Sequence, residues 1–373
     1  MKIGIDASLL VRKEIGGTGR FLTNLLKHIL ELDKTNQYFL FAPCRLENYT
    51  AKGFSVITTK ENKIIPSQYY FPFWLNFVLP KELKKNKIDV FFQINLFLPL
   101  FCNYKEIKFI TTIHDAIPKI NPHYRDFLYR IYSNIFLPFS IRKSQAIITV
   151  SNNSKKDLIN FYNIPQNKIR VIYEAADERF KPKKLSQEEK RKIFSKYNLS
   201  GDFILYVGAI DNRKNITGIL KIGDLIRNSG KNIKIVLVGK LGFNSKKIMK
   251  EVKKRNYVIH LDNVGDEDLP CFYNLAKALL FPSFYEGFGL PSLEAMQSGL
   301  PILASNTSSL GEIVNEGGIT HHPEDHESFA RDIIKLLDDD AFFQEMRDKA
   351  ILRAAEFNWA ESTNKLIDIF NKI

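Results

Sequence analysis

Cysteine is scarce in this chain of 373 residues: Cys44, Cys102 and Cys271 stand far apart, and no C-x-x-C spacing occurs. That excludes a disulfide framework and fits a reducing compartment. Long apolar runs are also missing. The nearest, Tyr69 to Pro80, carries two prolines and is shorter than the roughly 18 apolar residues that span a bilayer. The opening M-K-I-G-I-D-A reads as a strand that begins at once, so no signal peptide is expected ahead of it. There is no internal repeat, no low-complexity tract and no recognisable nucleic-acid recognition motif. No D-x-D stands where a metal-bound diphosphate would need one. Acidic residues are short in one half only. Residues 1–170 hold 25 Lys and Arg against 12 Asp and Glu, whereas residues 171–373 hold 29 of each, so the first half carries the whole net charge of +13. A one-sided basic domain calls for an anionic partner: nucleic acid, an acidic membrane face or a phosphorylated lipid.

What is present is an ordinary apolar content, 45%, in a chain too long for one typical core. Short apolar runs alternate with amphipathic helices. Strands are expected at 2–6, 38–42, 54–58, 89–93, 108–113, 146–150 and 170–172. After the polar, lysine-rich linker 181–199 they resume at 203–207, 234–238, 258–261, 278–281 and 301–304. Helices are expected at 19–32, 125–142 (with Pro138 a kink site) and from Ser151 to Phe161, with a final helix opening near 357–363. Two such sets mean two doubly wound α/β domains, with the crossing near 173–185. Within the first, Q-Y-Y-F-P-F-W-L-N-F-V-L-P (68–80) runs into K-E-L-K-K-N-K (81–87). Aromatic rings beside lysines suit a membrane interface. A buried helix with a solvated lysine face suits the same residues.

The most informative stretch is S-F-Y-E-G-F-G-L-P-S-L-E-A-M-Q-S-G-L-P-I-L-A-S-N (283–306). A buried strand ends at Phe281, a glycine-rich turn follows, and a compact helix begins with Pro291 near its first position. Gly299 and Pro301 end it before the next strand. The turn lies at the carboxyl end of a parallel strand, where open α/β sheets bind ligands, and the helix start suits a phosphate. Glu286 in the turn and Glu294 in the helix bracket the site. As a bare pair they would also suit a glycoside hydrolase or two solvated carboxylates.

E-x7-E enclosing G-F-G-L-P resembles the signature of family 4 retaining glycosyltransferases, which have the GT-B fold. The resemblance covers nearly the whole chain and is densest from 203 to 306. It implies two Rossmann-like domains facing a central cleft: an acceptor domain over 1–175, with 357–373 packing back on it, and a nucleotide-sugar donor domain over 176–356. It implies that Glu286 faces the donor sugar and Glu294 the ribose, while the backbone of Gly287, Phe288, Gly289 and Leu290 receives the diphosphate and sugar hydroxyls. In Y-V-G-A-I-D-N-R-K-N (206–215), Lys214 matches the lysine that holds the donor diphosphate. Ala209 departs from the common arginine, so Arg213 is expected to supply the second cation, as in a variant seen in mannosyltransferases of the O-antigen type. Otherwise both are exposed loop cations. In G-G-T-G-R (16–20), Gly17 matches the glycine loop near the donor diphosphate. In T-T-I-H-D-A-I-P (111–118), His114 matches a histidine that reaches the donor sugar; read alone, a histidine at a strand end is more often structural. In H-L-D-N-V-G-D-E-D-L (260–269), the backbone at Asn263 and Val264 matches the base-binding turn, and Asp266–Asp268 fit a helix cap equally well. Ser151 reads as structural, apart from a possible acceptor contact.

The implied reaction is metal-independent transfer with retention from a nucleotide sugar, which is a substrate, so no cofactor is expected. Fixed cations stabilise the charge that grows on the leaving diphosphate. That diphosphate can deprotonate the acceptor, and Glu286 is expected to position the sugar rather than attack it. GDP-mannose is the favoured donor and a UDP-sugar the alternative. The acceptor is expected to be a glycan on a polyprenyl diphosphate lipid, with the enzyme peripheral on an anionic membrane at the cytoplasmic face and no nucleic acid bound. The rivals are an epimerase or sucrose-type synthase of the same fold, and a non-catalytic sugar-nucleotide binder.

Overall fold

The computed structural model describes every residue except 12–15, 47–48, 60–66, 103, 121–126 and 244. The chain divides into two units. One comprises Met1–Glu174 with Trp359–Ile373, and the other Ala175–Asn358.

In the first unit, seven strands are described: β1 (Lys2–Asp6), β2 (Gln37–Ala42), β3 (Ser55–Thr58), β4 (Val90–Gln93), β5 (Lys108–Thr112), β6 (Ala146–Thr149) and β7 (Ile169–Val171). They pair in parallel in the order β3-β2-β1-β4-β5-β6-β7. In the second unit, β8 (Phe203–Val207), β9 (Lys234–Val238), β10 (Val258–Leu261), β11 (Ala278–Phe281), β12 (Ile302–Ser305) and β13 (Ile319–His321) pair in parallel in the order β10-β9-β8-β11-β12-β13. All residues of β4, β6 and β11 are buried. That is why these strands read as continuous apolar runs and not as alternating ones: helices cover both faces of a parallel sheet. Each sheet reverses its order once, between β1 and β4 and between β8 and β11. Those are the topological switch points, where crevices open at the strands' carboxyl ends.

The helix Gly17–Leu32 buries Phe21, Leu22, Leu25, Leu26 and Ile29 along one stripe. The final helix, Trp359–Lys372, completes the same core. Trp359 meets Phe21 with ring centroids 5.9 Å apart, and Phe370 meets Phe92 at 5.8 Å. A seven-residue aromatic-rich helix, Ser67–Phe73, runs through a π-helical turn, Trp74–Val78, into Leu79–Lys85. Its buried side, Trp74, Leu75, Leu79 and Leu83, joins the core. Its outer side keeps Phe77 49% exposed, 5.1 Å from the 62% exposed Phe101 and 5.3 Å from Phe73. Among the described residues no helix is long and apolar enough to cross a membrane.

Three differences from the sequence-based elements have local causes. The expected linker 181–199 contains a helix, Gln187–Lys196, started by a reciprocal capping box: Ser186 Oγ accepts from Glu189 N and Glu189 Oε2 accepts from Ser186 N. Its charged surface hid it from a hydrophobic reading. The edge strand β13 has only three half-buried residues, too few to show a period. The helix expected from Arg125 is described from Phe127 to Lys143, and Arg125 itself lies outside the described residues.

Candidate active site

Two segments that flank the switch point of the second sheet build the site. After β8 the chain runs through Gly208 to Asn215. After β11 it runs through Pro282 to the helix Leu290–Gln297. Asn215 holds them together. It adopts a left-handed conformation (φ 54°), caps the helix Ile216–Asn228 by accepting from Gly218 N, and donates from Nδ2 to the carbonyls of Pro282 (3.1 Å) and Pro323 (2.7 Å). Phe284 N also donates to Arg213 O at 2.9 Å. The cation loop and the carboxylate turn are thus laced together through their backbones.

Their side chains converge. Lys214 Nζ donates to Glu286 Oε1 at 2.5 Å, and Arg213 Nη1 donates to Glu286 Oε2 at 3.0 Å and to Tyr285 O at 2.8 Å. Glu286 and Lys214 are buried, with relative exposures of 6% and 8%. Burial pushes the Glu286 carboxyl up, but Lys214 and Arg213 outweigh it and hold the group below its ordinary range. The Lys214 ammonium is lowered, by burial first and by Arg213 as a like charge, against the attraction of Glu286. Its ammonium nitrogen stands over the Phe281 ring, 5.1 Å from the centroid. Against Glu286 alone the two cations leave one positive charge in excess, with Asp211 nearby as a further partner of Lys214, in a site that water barely reaches. Such a residue of charge attracts an anion.

The turn after Glu286 is supported from the next segment. Glu286 N donates to Ser308 Oγ at 3.0 Å, and Ser309 Oγ reaches the carbonyls of Glu286 and Phe288, each at 2.9 Å. Gly289 has φ 104°, and a Cβ there would lie 2.6 Å from Leu310 Cδ2, so both backbone and packing require glycine. It precedes a helix with no side-chain cap and with proline in its first turn. Glu294 is buried in that helix and accepts from the Tyr273 hydroxyl at 2.7 Å.

The other sequence candidates fall as follows. Asn263 is exposed and Val264 buried in the loop after β10. Asp268 precedes the helix Leu269–Leu275 but makes no side-chain cap; its carboxylate accepts from Lys196 and Tyr197 instead. The cap expected there is therefore absent. Ser151 caps the helix Asn152–Tyr162 by accepting from Ser154 N, a structural role. Gly17 and His114 belong to the first unit. A Cβ at Gly16 or Gly17 would meet nothing within 4 Å, so neither glycine is required by the described fold's own packing. His114 follows β5, and its buried Nε2 has no hydrogen-bond partner among the described residues. Sequence reasoning missed Asn215, Tyr273, Ser308 and Ser309. Only Asn215, next to Lys214, stood in a quoted motif; the others lie 21 to 23 residues from the glutamates they bond. Among the described residues no group of three or more His, Cys, Asp or Glu side chains could hold a metal ion.

Two Rossmann-like units, each with a parallel sheet and a switch-point crevice, define the GT-B class of glycosyltransferase fold. The match extends over the whole chain in a sucrose-phosphate synthase from Thermosynechococcus elongatus: TM-score 0.78 at 17% identity, covering 100% of this chain and 98% of that one. The family model "Glycosyl transferases group 1" matches residues 186–357, and "Glycosyltransferase Family 4" matches residues 15–180. The O-antigen chain mannosyltransferase B of Escherichia coli is 30% identical over 293 residues, 77% of this chain and 75% of that protein. The serotype-specific mannosyltransferase WbdA of Escherichia coli is 30% identical over 279 residues, 71% of this chain but 34% of that longer protein, so the chain spans about a third of its length. The chain belongs to the family 4 glycosyltransferases and is a glycosyltransferase.

Proposed function

We propose that this enzyme transfers mannose from GDP-mannose, with retained configuration and without a metal ion, to a lipid-linked glycan in cell-surface polysaccharide assembly. The observation that carries the reading is the convergence of Arg213 and Lys214 on Glu286 beside an uncapped helix start at the switch point. Fixed cations of this kind can receive a diphosphate and stabilise it as it leaves, the work a divalent ion would otherwise do. Both Glu286 oxygens are paired, and the carboxyl is held in its ionised form. Such a group is a poor nucleophile and a good electrostatic partner for positive charge at the sugar ring. In this reading the departing diphosphate takes the acceptor proton on the same face, Glu294 holds the ribose, the turn 287–290 and Gly17 receive diphosphate and sugar, Asn263 and Val264 flank the base, and His114 contacts the sugar. The names of the Escherichia coli relatives favour mannose and O-antigen assembly. A thermal-shift screen of GDP-, UDP-, dTDP- and ADP-sugars tests the donor, because bound ligand stabilises by mass action. GDP-mannose is expected to give the largest shift. A shift with UDP-sugars alone overturns the donor, and strong inhibition by chelator overturns the metal-free mechanism.

The membrane part of the reading is supported by the exposed Phe77 and Phe101, backed by the half-buried Phe73, and by the exposed lysines 81, 84 and 85 on the neighbouring turns. Aromatic rings flanked by lysines favour an anionic bilayer surface, at about 1 kcal/mol per basic residue near the headgroups. Co-sedimentation with anionic vesicles is expected, weakened by salt and by Phe77→Ser with Phe101→Ser. Absence of binding to such vesicles removes the peripheral cytoplasmic-face placement.

A further inference from the structure

His114 stands at the carboxyl edge of the first sheet with its two nitrogens in different surroundings. Nδ1 lies 3.7 Å from Glu174 Oε1, and the Glu174 side chain is only 6% exposed. Nε2 is buried and bonds nothing among the described residues. The ring stands edge-on to Phe21 at 5.4 Å. The adjacent carboxylate, Asp115, accepts the Ile117 amide at 3.0 Å. The final helix braces the neighbours of His114 on both sides. Trp359 packs on Phe21, and Ser362 Oγ donates to the carbonyl of Tyr173, the residue before Glu174, at 2.7 Å. The Tyr173 hydroxyl in turn accepts from Asn152 Nδ2 at 2.6 Å. Glu174 is thus a nearly buried acid next to a tyrosine held by its carbonyl and its hydroxyl, and it faces one nitrogen of an imidazole whose other nitrogen is unused.

We propose that Glu174 is a positioning residue for glycosyl transfer. Its carboxylate draws the His114 Nδ1 proton toward itself, fixes the tautomer and ring orientation, and leaves Nε2 as a hydrogen-bond acceptor for a hydroxyl of the sugar substrate. A neutral imidazole carries its proton on either nitrogen, and a carboxylate beside Nδ1 selects the form with Nδ1–H. The 3.7 Å separation is longer than a hydrogen bond. Such contacts are commonly long without substrate and tighten when it binds. The inference rests on the reading of His114 as a residue that contacts substrate.

The test compares His114→Ala, Glu174→Met and Glu174→Gln with the native chain. The readouts are donor turnover, melting temperature, and long-range proton–nitrogen NMR of the imidazoles. His114→Ala identifies the His114 signals among the seven histidines by their loss. Glu174→Met keeps volume and removes both carboxylate oxygens. It is expected to lower kcat about 10- to 100-fold with KM within about twofold, the range by which loss of an outer partner costs a metal-bound histidine site. Its His114 nitrogens should move from a single Nδ1–H pattern to a mixture. Glu174→Gln keeps an acceptor oxygen and should recover part of both effects. Native kcat and unchanged nitrogens in Glu174→Met overturn the inference, and Glu174→Gln decides it if the methionine variant does not fold. Native turnover in His114→Ala instead overturns the reading beneath it, while the NMR still reports whether Glu174 sets the tautomer.

Discussion

Replacing Lys214 separates what the buried charge cluster does for stability from what it does for the reaction. At the 2.5 Å contact with Glu286 the gross attraction is about 7 kcal/mol for an effective dielectric of 20. Desolvating each ion costs several kcal/mol, so against an apolar pair of similar volume the net is close to zero. Breaking the pair from one side is different, because it strands a buried charge. Lys214→Met should therefore cost about 3 kcal/mol of stability, at the low end for buried pairs because Arg213 still faces Glu286 at 3.0 Å. Glu286→Gln should cost a similar amount by leaving two cations together. The double variant should recover a coupling of about 2 kcal/mol. Urea unfolding followed by far-UV circular dichroism measures these values. Both tryptophans, Trp74 and Trp359, lie in the first unit, so their emission reports on that unit alone. Turnover should behave differently. If Lys214 stabilises the leaving diphosphate, the double variant stays down about 100-fold or more, some 3 kcal/mol of transition-state stabilisation, even where the fold has recovered. Additivity of the two stability losses within about 0.5 kcal/mol refutes the electrostatic account. Native turnover in the double variant refutes the catalytic one.

Three further outcomes follow from the same geometry. Because the Glu286 carboxyl is held below its ordinary value of 4.5, its contribution to stability is present above that pH and is lost as pH falls toward the folded value. Glu286→Gln should remove that part of the acid slope in unfolding titrations, and an unchanged slope contradicts the assignment. Gly289→Val should cost about 1–3 kcal/mol through its φ of 104° and the 2.6 Å approach to Leu310, and should weaken donor binding by calorimetry. Native affinity in this variant would show that the turn does not touch the donor. Tyr273→Phe removes the hydroxyl that holds Glu294, a bond to a charged group worth about 1.5–3 kcal/mol. It should raise the donor KM about tenfold with kcat little changed, and a fall in kcat alone would remove Glu294 from ribose binding.

The second unit was the more legible one. Strands β8 to β11 begin and end at the residues their apolar runs suggested, because a parallel strand buried on both faces writes an unbroken signal into the chain. The helix Gln187–Lys196 was less visible, since its start is made by Ser186 and Glu189 bonding each other and not by an apolar face. Spacing around Asp266–Asp268 suggested a capped helix, yet Lys196 and Tyr197 claim the Asp268 carboxylate from 72 and 71 residues away. A local pattern carries no trace of such competition.

Residue types and their order were enough to determine the alternation of strands and helices, the glycine-rich turn between Glu286 and Glu294, and the nearness in sequence of Arg213 and Lys214. They follow from short-range sterics and from hydrophobic periodicity, both of which act over a few residues. Only the tertiary structure decided that both cations fall on one carboxylate 72 to 73 residues downstream, that Tyr273 holds Glu294, and that Glu174 faces His114. The strand order makes these meetings. It places β8 beside β11 and brings their carboxyl ends together at the point where the sheet reverses direction.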